Sequence, residues 1–287
     1  MNKVKAVLVV TMIMLGVTFC LAQKKENRKH RYKPKQIQTA LDSICTEGYN
    51  LFLAETVNWI GSDSALAHYG KEAFGGNYIW QPDDKTWKAV YLDEKLENCI
   101  FELTLDIKTG DIDFNFTPRP ITDTDIKQFS LRQTMLEKGF NQYGESIIYA
   151  KNCGNPNVDF VRVDDNTIRM YILQGTVLPN LIPFGNDYSI DFDNEGNPLQ
   201  FRKYHQSFIA ITTTTEDGEK VESVYHSHLK DNPFITPTDI CNFLLYRGDM
   251  KQTFVLSTAL DGYIIYDAIS NSAIFLTRKA ANKILRN

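Results

Sequence analysis

The stretch "VYHSHLKDNPFITPTDI", residues 224–240, decides how the second half of the chain is expected to fold. Its first part predicts a strand, and because side chains on a strand alternate between faces, His226 and His228 share one face about 6–7 Å apart. Its last part predicts a helix with Thr236 as the N-cap, a proline in the favoured first position and Asp239 as the acid of a capping box. The stretch therefore predicts a strand, a connection and a capped helix.

The same residues are also a candidate metal site. Two imidazoles on one strand face can converge on one cation, and the connection is long enough to bring Asp239 back over the strand end. Two neutral imidazoles and one carboxylate form a ligand set for Zn²⁺ that leaves a fourth position for water. Such a water has its pKa lowered towards about 7 and becomes a hydrolytic nucleophile. The helix cap explains Thr236 and Asp239 without a metal, but it does not explain two of only five histidines on one strand face.

Working outward, the second half reads as mixed α and β. From Ser146 a series of short alternating strands is interrupted by turn residues, with "DNEGNP" and "TTTEDGEK" as hairpin tips. The helix after the histidines ends at Gly248. The strands "TFVLST", "GYIIYDA" and "AIFLT" follow, and a basic tail helix, "RKAANKILRN", closes the chain.

The first half predicts a helix followed by an antiparallel meander. Apolar residues recur at helical spacing from Ile37 to Val57, and whether the helix is interrupted near Gly48 stays open. Short alternating runs from 75 to 116 then predict the meander, and a second helix follows, capped by Thr122 or Asp123. The predicted fold class is thus α+β or mixed α/β, with an N-terminal module over 37–145 and a C-terminal domain over 146–287.

The N-terminal residues predict export. A short basic start and an uncharged apolar run are typical of a secretory signal over 1–22, with cleavage after Ala22, and a basic spacer over 23–36 follows. A lipoprotein anchor at Cys20 is disfavoured because Phe19, not a small residue, precedes that cysteine. The protein is expected in the periplasm or outside the cell, and no second apolar run is long enough to cross a bilayer.

Composition narrows the class of partner. The formal net charge is −4, and removal of two lysines with the signal makes it more negative, which argues against nucleic acid. A 43% hydrophobic content is ample for a globular core. The cysteines beyond the signal lie far apart without CxxC spacing, so disulfides and isolated buried thiols both remain open. Aromatic residues, namely Trp59, Tyr78, Trp80 and Trp87, form either a carbohydrate-binding face or part of the core.

The histidine stretch resembles a known signature. His226-Ser227-His228, seven residues, Thr236, two residues and Asp239 resemble the JAMM (MPN+) metalloprotease pattern, and the order of elements over roughly 188–268 is similar to that family. The resemblance implies a cytidine-deaminase-like sheet with a helix after the histidine strand. It also implies zinc bound by His226, His228 and Asp239 with water as the fourth ligand. Thr236 stands where the family has a serine that helps to stabilise the oxyanion.

The general base of such an enzyme is not evident. The family carries a glutamate on an early strand, but this chain has Gln174 and Asp187 in that region. Asp187 can take a proton, and Glu55 on the first helix is a second candidate. With a base, the expected reaction is hydrolysis of an amide or isopeptide bond in a peptide or protein substrate. The alternatives are a catalytically inactive JAMM-like domain that binds a peptide or envelope partner, and a structural or interaction protein without metal.

His205 is a further candidate ligand. If Asp217-Gly218 closes a two-residue hairpin, His205 lies on the same face as the other two histidines and diagonal to His228, within reach of a shared ion or a supporting hydrogen bond. A longer loop would shift the register and remove this argument. An ordinary strand histidine is the alternative.

Overall fold

The structure is a computed structural model that describes residues 32–70, 74–215 and 217–284. The expected signal peptide over 1–22, with Cys20, and most of the basic spacer lie outside the described residues, so the prediction of export stays a prediction. Within the described part, no helix is long and apolar enough to span a bilayer.

The described residues form a mixed α+β fold, as the sequence predicts in outline. The helices are α1 (Pro34–Tyr69), α2 (Asp123–Tyr143), α3 (Pro237–Tyr246) and α4 (Arg278–Ile284). The strands of the first half are β1 (Phe74–Trp80), β2 (Thr86–Asp93), β3 (Asn98–Asp106), β4 (Ile112–Asn115) and β5 (Arg119–Pro120). The strands of the second half are β6 (Pro156–Asp164), β7 (Thr167–Gln174), β8 (Leu181–Phe184), β9 (Tyr188–Phe192), β10 (Pro198–Lys203), β11 (Ile209–Thr212), β12 (Ser223–His228), β13 (Gln252–Ser257), β14 (Gly262–Asp267) and β15 (Ser272–Thr277).

The strands build several separate sheets. The predicted meander is an antiparallel sheet in the order β1-β2-β3-β4, with β5 paired to β3. A second antiparallel sheet has the order β10-β9-β7-β6, and β11 pairs with β8 alone. The last sheet has the order β12-β13-β14-β15. In it β12 and β13 are parallel, joined by α3, while the other pairs are antiparallel.

Helix α1 belongs to two hydrophobic cores. Its first turns, with Ile37 and Leu41, pack in a core with α3 and the last sheet, which we call the C-terminal core. Its later turns, with Leu51 and Val57, pack in a core with the meander, which we call the meander core. The helix begins at Pro34 rather than Ile37 and runs without interruption to Tyr69.

Gly48 is where α1 approaches α3 most closely. A Cβ added there would lie 2.7 Å from the Cβ of Ile240 and 3.1 Å from the carbonyl oxygen of Pro237. Glycine therefore does not break the helix at this point. It lets α1 pack against the first turn of α3, the turn that also carries Asp239.

The hairpin around Asp217-Gly218 differs from the two-residue loop that placed His205. The backbone pairs Thr215 with Glu219 and Thr213 with Val221, which leaves three residues in the loop. Beyond this short ladder the two strands separate, because β11 pairs with β8 and β12 pairs with β13. The register argument for His205 is therefore wrong, although His205 does reach His228 by another route.

The described cysteines, Cys45, Cys99, Cys153 and Cys241, are all free and buried. The sequence left open whether these cysteines form disulfides or remain isolated thiols, and in the structure they are isolated thiols. Cys45 lies in the C-terminal core and Cys241 in the meander core.

Candidate metal centre

Strand β12 directs two histidines into the protein. Its residues alternate between exposed and buried, so that Val224, His226 and His228 face inward while Tyr225 and Ser227 face outward. The parallel pairing with β13 fixes the histidines opposite Val255 and Ser257. His226 and His228 are 4% and 2% exposed, which places both imidazoles in the interior.

The first turn of α3 supplies the carboxylate of Asp239. The capping box predicted from sequence is present: the backbone N–H of Thr236 donates to Asp239 Oδ2 at 2.8 Å, and the N–H of Asp239 donates to Thr236 Oγ1 at 3.2 Å. Asp239 Oδ1 is buried and has no hydrogen-bond partner among the described residues. One carboxylate oxygen thus caps the helix and the other stays available for a ligand.

His205 enters from the connection that follows β10. The antiparallel pairing of β9 and β10 ends with Lys203 opposite Tyr188, and the N–H of Tyr204 donates to the carbonyl of Asp187. This pairing carries Asp187 and His205 to the same end of the sheet. His205 Nδ1 lies 2.8 Å from Asp187 Oδ1, and the hydroxyl of Thr238 on α3 donates to Asp187 Oδ2.

The four side chains, His205, His226, His228 and Asp239, converge on one point. Their ligand atoms all lie within 4.8 Å of one another. His228 Nε2 is 2.9 Å from His205 Nε2 and 3.0 Å from His226 Nε2. Asp239 Oδ1 is 3.2 Å from the Nε2 atoms of His205 and His226, and Oδ2 is 3.2 Å from that of His228. The two contacts of Asp239 Oδ1 are short enough for hydrogen bonds, but their angles do not meet the geometry of a hydrogen bond. This is expected when the atoms point towards a common centre rather than towards each other.

The partners of the outer ring nitrogens decide which atoms can bind a cation. His228 Nδ1 faces the carbonyl oxygens of Phe234 at 2.5 Å and Asn232 at 3.1 Å, and carbonyls only accept. His205 Nδ1 faces the Asp187 carboxylate. Both Nδ1 atoms therefore carry the proton in the neutral imidazole, so both Nε2 atoms present lone pairs. Two lone pairs 2.9 Å apart repel unless a cation lies between them.

The charges of the site favour a bound cation. Burial alone would raise the pKa of Asp239, but the three imidazoles, His205 foremost, hold it well below its ordinary value. Burial lowers the pKa of His226, which keeps that ring neutral as a metal ligand requires. Burial also opposes protonation of His205, but Asp187 and Asp239 raise its pKa to about 11. The same two carboxylates would also attract a metal ion, which would compete with that proton for His205 Nε2.

The donor set fits a divalent metal ion. Tetrahedral zinc with ligands at about 2.0–2.1 Å would have neighbouring ligand atoms about 3.3 Å apart. Four of the donor separations, at 2.9–3.2 Å, are close to this value, and all the donors lie within 4.8 Å of one another. Three imidazoles and a carboxylate offer four protein ligands, and Asp239 Oδ1 is buried without a hydrogen-bond partner among the described residues. The site could hold a metal ion.

The remaining residues predicted for catalysis lie in different surroundings. Asp187 reaches the site, but it contacts the outer nitrogen of His205 rather than the centre of the cluster. The Thr236 hydroxyl donates to Asp239 Oδ2 at 2.8 Å and is thereby engaged in the helix cap. Glu55 is not part of the cluster: it is fully buried on α1 and faces Asp159 of β6.

Several supporting residues were missed from the sequence. Thr238 anchors Asp187, and the carbonyls of Asn232 and Phe234 orient His228. The Asn232 amide also donates to the carbonyls of Lys203 and Tyr204, which ties the segment before His205 to the connection before α3. Contacts made by backbone carbonyls cannot be predicted from residue types. The contact between Asp187 and His205 could have been predicted, because the "DNEGNP" hairpin pairs the strands that precede and follow it.

A surface cleft of about 330 Å³ adjoins the candidate metal centre. Thr236, Asn232 and Tyr204 line it, together with Arg169 and Arg202. Both arginines are paired, since Asp191 accepts hydrogen bonds from each of them. The cleft therefore reaches the cap of α3 but not the ligand atoms, which are buried beneath it.

No protein-family model matches the chain, and no curated protein or solved structure matches it either.

Proposed function

We propose that this is an exported zinc-binding protein with a JAMM-like C-terminal domain, in which His205, His226, His228 and Asp239 hold the ion as a closed, structural centre. The observation that carries the proposal is the convergence of four buried side chains, whose ligand atoms all lie within 4.8 Å of one another. Imidazole and carboxylate donors suit zinc, and four protein ligands are typical of structural zinc sites. The JAMM-like assignment is supported by the signature and by the order of β12, α3 and β13.

A closed site would stabilise the fold. Its ligands come from three segments, namely the connection after β10, strand β12 and the first turn of α3. An ion held by all three supplies a positive charge that compensates the buried carboxylate of Asp239 and links these segments. Because binding free energy at such a site is also folding free energy, the apo protein is expected to unfold more readily.

Metal analysis of protein purified without a histidine tag tests the proposal. One zinc per chain is expected, with X-ray absorption at the zinc edge showing three imidazoles and one oxygen ligand. His226→Ala should lose the zinc and lower the melting temperature, whereas Ser227→Ala, on the exposed face of the same strand, should change neither. Zinc well below one per chain that does not change in His226→Ala would remove the metal site.

Hydrolysis of an amide or isopeptide bond in a peptide or protein is the second candidate. The observation that favours it is the cleft at Thr236, where an extended peptide could lie beside the centre. In that case Asp187 would hold the Nδ1 proton of His205, so that His205 Nε2 accepts a proton from water instead of binding the ion. Two imidazoles plus a water oxygen in the absorption spectrum, together with peptidase activity lost in His205→Gln, would favour this candidate over the closed site.

A further inference from the structure

A second cleft, of about 310 Å³, lies between the meander, helix α2 and strand β6. None of the metal-centre residues lines it. Its lining combines aromatic and aliphatic side chains with Gln81 and Gln128. The charged residues of the lining are Arg132 and Arg162, and it contains no aspartate or glutamate. In a chain of net charge −4, this local excess of positive charge needs an explanation.

Arg132 of α2 is held in the cleft without a carboxylate partner. Its guanidinium lies 5.6 Å from the ring centroid of Phe160, and it makes no ion pair or hydrogen bond with any described residue. Burial lowers the pKa of Arg132, and the charge of Asp159 raises it without forming a contact ion pair. A half-buried guanidinium in this state has lost part of its water and gained no acceptor.

Arg162 adds a second positive charge at the same cleft. It donates to the side-chain oxygen of Asn194 at 2.9 Å and to the backbone carbonyl of Asp165 at 3.3 Å. These acceptors are uncharged, so they hold the side chain in place without compensating its charge. The Arg162 side chain is exposed at the cleft mouth, whereas Arg132 is half-buried.

Two indole N–H groups are also left without acceptors. Trp80 and Trp87 both line the cleft, and the Nε1 atom of each is buried with no hydrogen-bond partner among the residues described. Buried donors without a partner are uncommon in folded proteins. The indole groups thus present aromatic surface to a cleft that carries positive charge and lacks the acidic side chains that would pair with a cationic ligand.

We propose that this cleft binds an organic carboxylate with an apolar body. The carboxylate would pair with Arg132, with Arg162 contributing at the mouth. The apolar body would pack against Tyr78 and Phe160. A guanidinium forms two parallel hydrogen bonds with a carboxylate, which a neutral sugar or alcohol cannot match. A volume of about 310 Å³ is at the lower end of the range for small-molecule sites.

Calorimetric titration of the full protein with octanoate and with octan-1-ol tests the proposal, because the two probes share an apolar chain and differ in charge. Octanoate is expected to bind saturably at one site, and octan-1-ol at least about tenfold more weakly, since charge-assisted hydrogen bonds are the stronger class. Arg132→Met, which keeps an apolar stem, should weaken octanoate about ten- to a hundredfold. Arg247→Met, at a half-buried arginine outside the cleft, should leave octanoate binding unchanged.

Three results would overturn the proposal: no saturable binding of millimolar octanoate, equal binding of both probes, or unchanged octanoate binding in Arg132→Met. If thermal melting shows that Arg132→Met does not fold, Arg162→Gln decides the matter, because this exposed side chain can be replaced without disturbing the core. A weaker octanoate affinity in Arg162→Gln, with unchanged octan-1-ol binding, supports the proposal, and an unchanged octanoate affinity rejects it.

Discussion

Replacing Asp187 with asparagine should weaken zinc binding without removing a ligand. The Asp187 carboxylate lies 2.8 Å from His205 Nδ1 and also accepts a hydrogen bond from Thr238 on α3. It therefore sets the orientation of one imidazole and links that imidazole to the helix that carries Asp239. An asparagine oxygen can still accept from the Nδ1–H of His205 as a neutral hydrogen bond, but its NH₂ group then faces Thr238, whose hydroxyl must turn to accept.

The magnitude follows from what each substitution removes. Loss of a group that orients a metal ligand costs about 10- to 100-fold in affinity, or about 1.4–2.7 kcal/mol. Asp187→Asn keeps an acceptor for His205 Nδ1–H but loses the charge assistance of that hydrogen bond, so a loss near tenfold is expected. Asp187→Ala leaves the Nδ1–H of His205 and the hydroxyl of Thr238 without an acceptor, so a loss near the upper figure is expected.

Competition with a chromophoric zinc chelator at neutral pH measures these affinities. Asp191→Asn is the matched control, because Asp191 is likewise a buried aspartate, four residues along the chain on β9, and is ion-paired with Arg169 and Arg202 instead of a histidine. It should lower stability and leave zinc affinity unchanged. The reasoning fails if Asp187→Ala binds zinc as tightly as the wild type, or if Asp187→Asn and Asp191→Asn lower the affinity equally.

Two further predictions concern the core. Gly48→Ala should lower the free energy of unfolding, measured in urea, by about 1–3 kcal/mol. The added Cβ would lie 2.7 Å from the Cβ of Ile240, and this overpacking outweighs the better helix propensity of alanine. Gly144→Ala, whose Cβ would meet nothing closer than 4.0 Å, should not destabilise it, and equal effects would contradict the packing argument. Burial and repulsion from Asp159 raise the pKa of Glu55 well above its ordinary value, so the native state keeps a proton that the unfolded chain releases above about pH 4.3. The free energy of unfolding of the wild type should therefore fall as pH rises towards the native pKa of Glu55, by at most about 1.4 kcal/mol per pH unit from this group. In unfolding curves measured from pH 5 to 8, Glu55→Gln should show a smaller fall. The same pH dependence in both proteins would refute this prediction.

The elements themselves were largely predictable, because their signals are local. The capping box at Thr236 and Asp239, the meander and the order of strands after α3 all follow from short-range patterns. The pairing of β12 was not predictable in this way. The Asp217-Gly218 turn suggested an antiparallel partner, but the chain separates after a few pairs, and α3 instead brings β13 alongside in parallel.

The candidate site shows the same division between local and distant information. Sequence spacing treated the helix cap and the metal as competing explanations for Asp239. The structure shows that they are compatible, since Oδ2 accepts from the backbone of Thr236 and Oδ1 faces the imidazoles. The position of His205 depends on how far β9 and β10 pair, and the position of Glu55 depends on how α1 packs against β6. Both depend on tertiary structure, which the spacing of residues in the sequence does not reveal.

The course of α1 bears on how the molecule can be divided. Its first half completes the C-terminal core and its second half completes the meander core, so the predicted boundary between 145 and 146 severs one core from the helix that covers it. A fragment 146–287 would expose the surface that Leu41 normally shields. We expect the two fragments to be insoluble apart and to reassociate when co-expressed, so that the whole chain behaves as one cooperative unit.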